Sequence, residues 1–147
     1  MNERSPADLL RRAKLVVSPE TYHVVSLDHE AWNEILSDPA LSPLMRSEFL
    51  LFKDKWEVTL VLDSSDFANI RPGLGKAKVE NGFRLLSFDI EMPFNVVGFM
   101  ARVAGVMAES GISILPFSSF SRDHLLVSQE DLPSALKAFR GLVDEVC

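Results

Sequence analysis

The chain has 147 residues, room for one compact domain or two very small ones, and 47% of them are hydrophobic, which is enough for a real core. The formal net charge is −6 and the densest basic group is only Arg11-Arg12-Ala13-Lys14, so the basic face with which nucleic-acid and anionic-membrane binders meet phosphate is missing. No apolar run approaches the roughly 20 residues of a membrane-spanning helix, the opening MNERSPADLL has no signal-peptide stretch, and the single cysteine, Cys147, excludes a disulfide within the chain; a soluble protein of a reducing compartment, the cytoplasm, is expected.

In chain order, 6–13 (PADLLRRA) reads as a short helix, with Pro6 in the first turn where its missing N–H costs nothing. LVV (15–17) and YHVVSL (22–27) read as strands around the turn Ser18-Pro19-Glu20. Asp28 is placed to cap a helix over HEAWNEILS, in which Trp32, Ile35 and Leu36 share a face. EFLLF (48–52) and EVTLVL (57–62), split by a polar turn, predict a hairpin. The segment DSSDFANIRPGLGKAK reads as a loop with at most one helical turn after Asp63, and as a hinge between two halves. FRLLSFDI (83–90) predicts a strand. Asn95 predicts an N-cap for a helix whose stripe is Val96, Met100, Val103, Ala104 and Met107, stopped by Gly111. ISILPF (112–117) and HLLVS (124–128) predict strands. Asp131 predicts the cap of a last helix that buries Leu136, Phe139, Leu142, Val143 and Val146.

The second half thus runs strand, helix, strand, strand, helix, the ferredoxin-like order without its final strand. An open sheet edge is a liability, so the missing strand is expected from elsewhere in the chain, from 15–17 or 22–27. EFLLFKDKWEVTLVLDSSD and ILPFSSFSRDHLLVSQED align as strand, polar turn, acid, strand and capping acid, which sets Glu57 opposite Asp123 and suggests a duplication. The expected fold is α+β, with two tandem ferredoxin-like βαββαβ halves, antiparallel sheets with helices on one face, and a strand exchanged between halves. The expected division is 1–79 and 80–147.

Several stretches carry a resemblance. FSSFSRDHLLVSQEDLPSALKAF resembles the end of the ACT domains in small tandem-ACT proteins, and MPFNVVGFMARVAGVMAESGISI resembles the strand–loop–helix before it. WEVTLVL resembles a strand of the first ACT half, and ADLL…SPETYHVV the start of the same small bacterial proteins. The likeness spans roughly residues 5–143 and extends to the cellular arginine sensors and the regulatory domains of aspartate kinases. It implies a regulatory module that binds an amino acid at the interface between ACT units. Ser118-Ser119-Phe120-Ser121-Arg122 departs from the sensors, which more often have Ser-Thr-Tyr and an acid, and His124 stands where Tyr or Phe is common.

The residues offer matching chemistry. A helix start presents free N–H groups and partial positive charge to anions. Phe94, Asn95, Val96, Val97, Gly98 and Phe99 are therefore candidates to cradle an α-carboxylate; the competing reading is an ordinary capped helix whose glycine packs on the sheet. Asp123, and Glu57 in the first half, are candidates for an α-ammonium, or are plain turn acids. Ser118 and Ser119 offer hydroxyls, or are turn formers. His23, His29 and His124 lack ligand spacing, so neither metal nor cofactor is expected. Pro72-Gly73-Leu74-Gly75-Lys76 lacks the spacing of a phosphate loop. No GxSxG elbow is present, and Asp123 and His124, adjacent in a strand, point to opposite faces. The expectation is a non-catalytic ligand-binding module that forms a homodimer through open strand edges. The alternative is a ligand-free interaction module of the same fold.

Overall fold

Three helices begin on the same chemistry. A helix leaves its first N–H groups without carbonyl partners, and a short polar side chain just ahead of it accepts from one of them. Ser5 Oγ accepts from the amide of Asp8 at 3.2 Å, Asp28 Oδ1 from Ala31 at 2.7 Å and Asp63 Oδ1 from Asp66 at 2.8 Å. These caps open α1 (Pro6–Arg12), α2 (His29–Ser37) and α3 (Ser64–Ile70). The computed structural model describes residues 5–147. Its strands are β1 (Lys14–Val17), β2 (Tyr22–Leu27), β3 (Leu50–Lys53), β4 (Val58–Asp63), β5 (Lys78–Asp89), β6 (Ile114–Ser118), β7 (Asp123–Ser128) and β8 (Glu145–Val146), and two further helices are α4 (Phe99–Glu109) and α5 (Leu132–Phe139).

The described residues form two compact units, named here for their places in the sequence. The central unit, Glu20–Phe83, runs β2, α2, β3, β4, α3 and the first half of β5, a complete βαββαβ order. Its strands lie in the order β3-β4-β2-β5 and every pairing is antiparallel. The terminal unit joins the described residues through Pro19 to Arg84–Cys147. It runs from the second half of β5 through α4, β6, β7 and α5, one strand short. β1 fills the gap, antiparallel to β5 with Lys14 opposite Asp89 and Val17 opposite Leu86, and β8 adds parallel to β1. Residues 15–17, rather than 22–27, therefore supply the missing strand. The compact units do not follow the expected division of the chain at residue 79: the segment through Pro19 belongs with the second unit, and the boundary falls inside β5, after Phe83.

Within the central unit the pairing of β2 with β5 shifts register between Tyr22, opposite Phe83, and Val24, opposite Glu80. Three residues of β5 span what two of β2 span, a β-bulge, and Gly82 takes φ +77 within it, a left-handed conformation that costs glycine little.

Each unit has its own core. In the terminal unit, Phe88 meets Phe99 and Phe139 edge-on, with ring centroids 5.7 and 5.2 Å apart, among Leu10, Leu15, Val103 and Met107. In the central unit, Trp32 and Ile35 of α2 pack on Val25, Leu60, Leu62 and Ile70. Burial of one such side chain stabilises by about 1.5–3 kcal/mol.

Three local expectations change. The segment after Asp63 is no hinge: α3 lies inside the central unit, and the buried Asp66 carboxylate accepts from the amides of Leu44 at 2.7 Å and Met45 at 3.0 Å. Asn95 caps nothing, because α4 starts at Phe99 behind Gly98. The last helix ends at Phe139: Gly141 turns left-handed at φ +85 and the chain enters β8, so Leu142, Val143 and Val146 lie beyond the helix, and Asp131 makes no side-chain cap. Among the described residues, no helix is long and apolar enough to cross a membrane.

Leu15 is fully buried in the strand that completes the terminal unit. Leu15→Ala should cost about 2–5 kcal/mol, as large-to-small core changes do, read by urea unfolding. A cost near zero would mean that β1 is dispensable.

Candidate functional site

The terminal unit brings two connections together at one end of β5. Past Asp89 the chain loops for nine residues before α4, and that loop is pinned by a bond from the buried Met92 amide to the Ser121 carbonyl at 2.9 Å. Ser121 belongs to the turn between β6 and β7, which is closed by Ser119 N–H donating to the Arg122 carbonyl at 2.8 Å and by the Ser119 hydroxyl donating to the same oxygen at 3.1 Å. The pinned loop, the first turn of α4 and the hairpin turn enclose a cavity of about 350 Å³.

Gly98 sets how α4 enters this cavity. It takes φ +89, and a Cβ there would lie 3.3 Å from Pro6 Cγ in α1. No side chain caps α4. The first-turn amides of Phe99, Met100 and Ala101, which a helix cannot satisfy internally, belong to residues that line the cavity. At the hairpin side stands Asp123, half-buried, its Oδ1 accepting from the Ser118 hydroxyl. Arg122 is spoken for: its Nε donates to Asp89 Oδ1 at 2.9 Å and its Nη2 lies 3.7 Å from Glu91 Oε1. His124 turns to other partners, Ser87 Oγ at Nδ1 (2.8 Å) and Ser119 Oγ at Nε2 (3.0 Å), and stacks on Phe117.

Of the residues singled out from sequence, Phe94, Val96, Gly98, Phe99, Ser118, Ser119 and Asp123 line this one cavity. Asn95 and Val97 do not; both are exposed, Val97 by 84%. Glu57 belongs to the central unit, where it lines a different cavity of about 400 Å³ and accepts from Ser26 Oγ at 2.9 Å. Sequence reasoning missed Phe120 and Arg122 as lining residues. The Phe120 ring meets Phe94 edge-on at 4.8 Å, and both rings are about 80% exposed. The signal for Phe120 was an aromatic residue in a turn otherwise made of serines.

Gly98→Ala should destabilise the protein by about 1–2 kcal/mol, the cost of holding a residue with a Cβ in the left-handed region, as measured by chemical denaturation. An unchanged stability would show that the loop can re-enter α4 another way.

Residues 78–141 match the ACT domain family. No curated protein matches the sequence. Among solved structures, the chain is similar to a protein from Agobacterium tumefaciens, with 21% identity over 92% of each chain and a TM-score of 0.70. It is similar to a Vibrio cholerae protein of unknown function described as a possible transport protein, at 24% identity over 91% of this chain and 93% of that one, with a TM-score of 0.65. It also shares its fold with the regulatory subunit of aspartate kinase from Thermus thermophilus, at 12% identity over 90% of this chain and 98% of that one, with a TM-score of 0.63. Residues 78–141 thus match the ACT domain family, and the chain, in which the βαββαβ order occurs in both units, shares its fold with aspartate kinase regulatory subunits.

Proposed function

We propose that the protein is a non-catalytic regulatory module that binds a free amino acid in the cavity of its terminal unit. The observation that carries the reading is the single cavity lined both by the uncapped start of α4 and by Asp123. The α-carboxylate would lie on the amides of Phe99, Met100 and Ala101, where the helix dipole favours an anion. The α-ammonium would pair with Asp123, which already holds one hydroxyl donor from Ser118. The side chain would rest among Met92, Phe94 and Phe120, so an apolar amino acid fits best. The solved aspartate kinase regulatory subunits of the same fold support a regulatory role. Binding would shift a population of conformations or of assemblies in proportion to its differential affinity for them. A homodimer in the cytoplasm belongs to the same reading: among the described residues β6 pairs with β7 alone and leaves an open edge, and the one thiol suits a reducing compartment.

A second reading keeps the fold without the ligand. Phe94, Val97 and Phe120 are each at least 80% exposed, and such residues also suit a protein partner. Thermal unfolding in the presence of each of the twenty amino acids separates the two. A ligand at one hundred times its Kd should add about 2.7 kcal/mol of stability, a rise of several degrees in Tm, and Asp123→Ala should remove that rise. No shift with any amino acid would favour the interaction module.

A further inference from the structure

Among the described residues that line the cavity of the terminal unit, Arg122 is the one cation. Its backbone is fixed by the hairpin turn, because its carbonyl accepts from both the amide and the hydroxyl of Ser119. Its side chain is held as well. Nε donates to Asp89 Oδ1 at 2.9 Å, and Nη2 lies 3.7 Å from Glu91 Oε1. Asp89 is the last residue of β5 and Glu91 lies in the loop beyond it, so the guanidinium is drawn towards that side of the site. Neither carboxylate lines the cavity, and among the described residues neither makes an ion pair with any other group. A planar guanidinium is the side chain best shaped to take a ligand's carboxylate; here two carboxylates of the chain itself occupy it.

The charge left over is negative. Asp123 lines the cavity, its Oδ1 accepts from the neutral Ser118 hydroxyl, and among the described residues no cation pairs with it. Three carboxylates therefore stand against one guanidinium. An α-carboxylate entering this site has the first-turn amides of α4 to meet it, and an α-ammonium has Asp123. A carboxylate on the ligand's side chain has no such partner: near Arg122 it competes with Asp89 and Glu91, and like charges at short range repel. A neutral side chain meets neither obstacle.

We propose that Asp89 and Glu91 are positioning residues that set the charge selectivity of this site: by holding Arg122 they exclude amino acids with acidic side chains, and without them Arg122 admits one. This rests on the amino-acid reading of the cavity and adds to it a rule for the ligand's side chain. The bond from the Met92 amide to the Ser121 carbonyl holds the loop independently of the two carboxylates, which are both exposed. Their removal therefore changes the charge around Arg122 and leaves the walls in place.

Calorimetric titration of leucine and glutamate at pH 7 and low salt tests this. The wild type should bind leucine at least about tenfold more tightly than glutamate. In Asp89→Ala/Glu91→Ala, leucine affinity should stay within about twofold, and the preference for leucine over glutamate should fall by about tenfold, the effect of gaining one partly exposed charge pair and removing two like charges. Asp89→Asn/Glu91→Gln, which removes the charges and keeps the shapes, should move the preference in the same direction. The gained glutamate binding should weaken as salt is added and vanish when Arg122→Gln is introduced into the double variant. Absence of saturable leucine binding to the wild type would remove the amino-acid reading and this rule with it. Leucine binding that Asp123→Ala abolishes, with an unchanged leucine-to-glutamate preference in both double variants, would overturn this rule alone. Equal binding of leucine and glutamate to the wild type, a gain that survives the loss of Arg122, or loss of leucine binding in both double variants would overturn it too.

Discussion

The pairing of Lys14–Val17 with the second half of β5 is the constraint on which the terminal unit rests. Without β1 the strand that carries Leu86 and Phe88 would expose its backbone along one edge, and β8 would have nothing to pair with. The same pairing fixes α1, which is separated from β1 only by the buried Ala13. Through α1 it brings Pro6 to Gly98, close enough that no Cβ would sit easily there. A structural strand and one wall beside the candidate site are thus set by one stretch at the start of the chain.

Both units place a cavity at the same point of their topology. In a βαββαβ unit the first strand leads directly into a helix start, and the third strand pairs with the first, so the turn that precedes the third strand arrives beside that helix start. Loop, helix entrance and hairpin turn therefore converge whatever the sequence. What the sequence changes is the chemistry delivered there. In the central unit Asp28 caps the entrance of α2, and Glu57, Lys76 and Lys78 line the cavity with charges of both signs. In the terminal unit Gly98 leaves the entrance of α4 uncapped, and the nearby cation, Arg122, is neutralised by Asp89 and Glu91. One topology, used in both units, thus carries a capped helix entrance in one cavity and an uncapped one in the other.

Much of this arrangement was legible in the sequence, because it rests on local signals. Asp28 marks a helix start that the structure keeps, and the alternation of YHVVSL and EVTLVL marks β2 and β4. The signals failed where a distant partner decides. Asn95 has the better local propensity for a cap, yet the bond from Met92 to Ser121 holds the loop so that the helix begins behind Gly98. The segment after Asp63 is rich in turn formers, yet Asp66 reaches back to Leu44 and Met45, some twenty residues earlier, and a seven-residue helix results. The candidate site followed the same rule. Asp123 and Gly98 stood out by type and position, whereas Phe120 and Arg122 join the cavity only because the hairpin turn folds against the loop.

The bulge at Gly82 bears on how β5 can vary. Val79 packs against the central core from an odd-numbered position, whereas Leu86 and Phe88 reach the terminal core from even-numbered ones. A regular strand alternates its side chains without exception, so the one extra residue at the bulge shifts the alternation of the later residues by one position relative to Lys78–Glu80. Loss of that residue, or gain of another, would turn the downstream half over and present Ser87 and Asp89 where Phe88 and Leu86 belong. Natural variation in the length of this strand should accordingly come in steps of two.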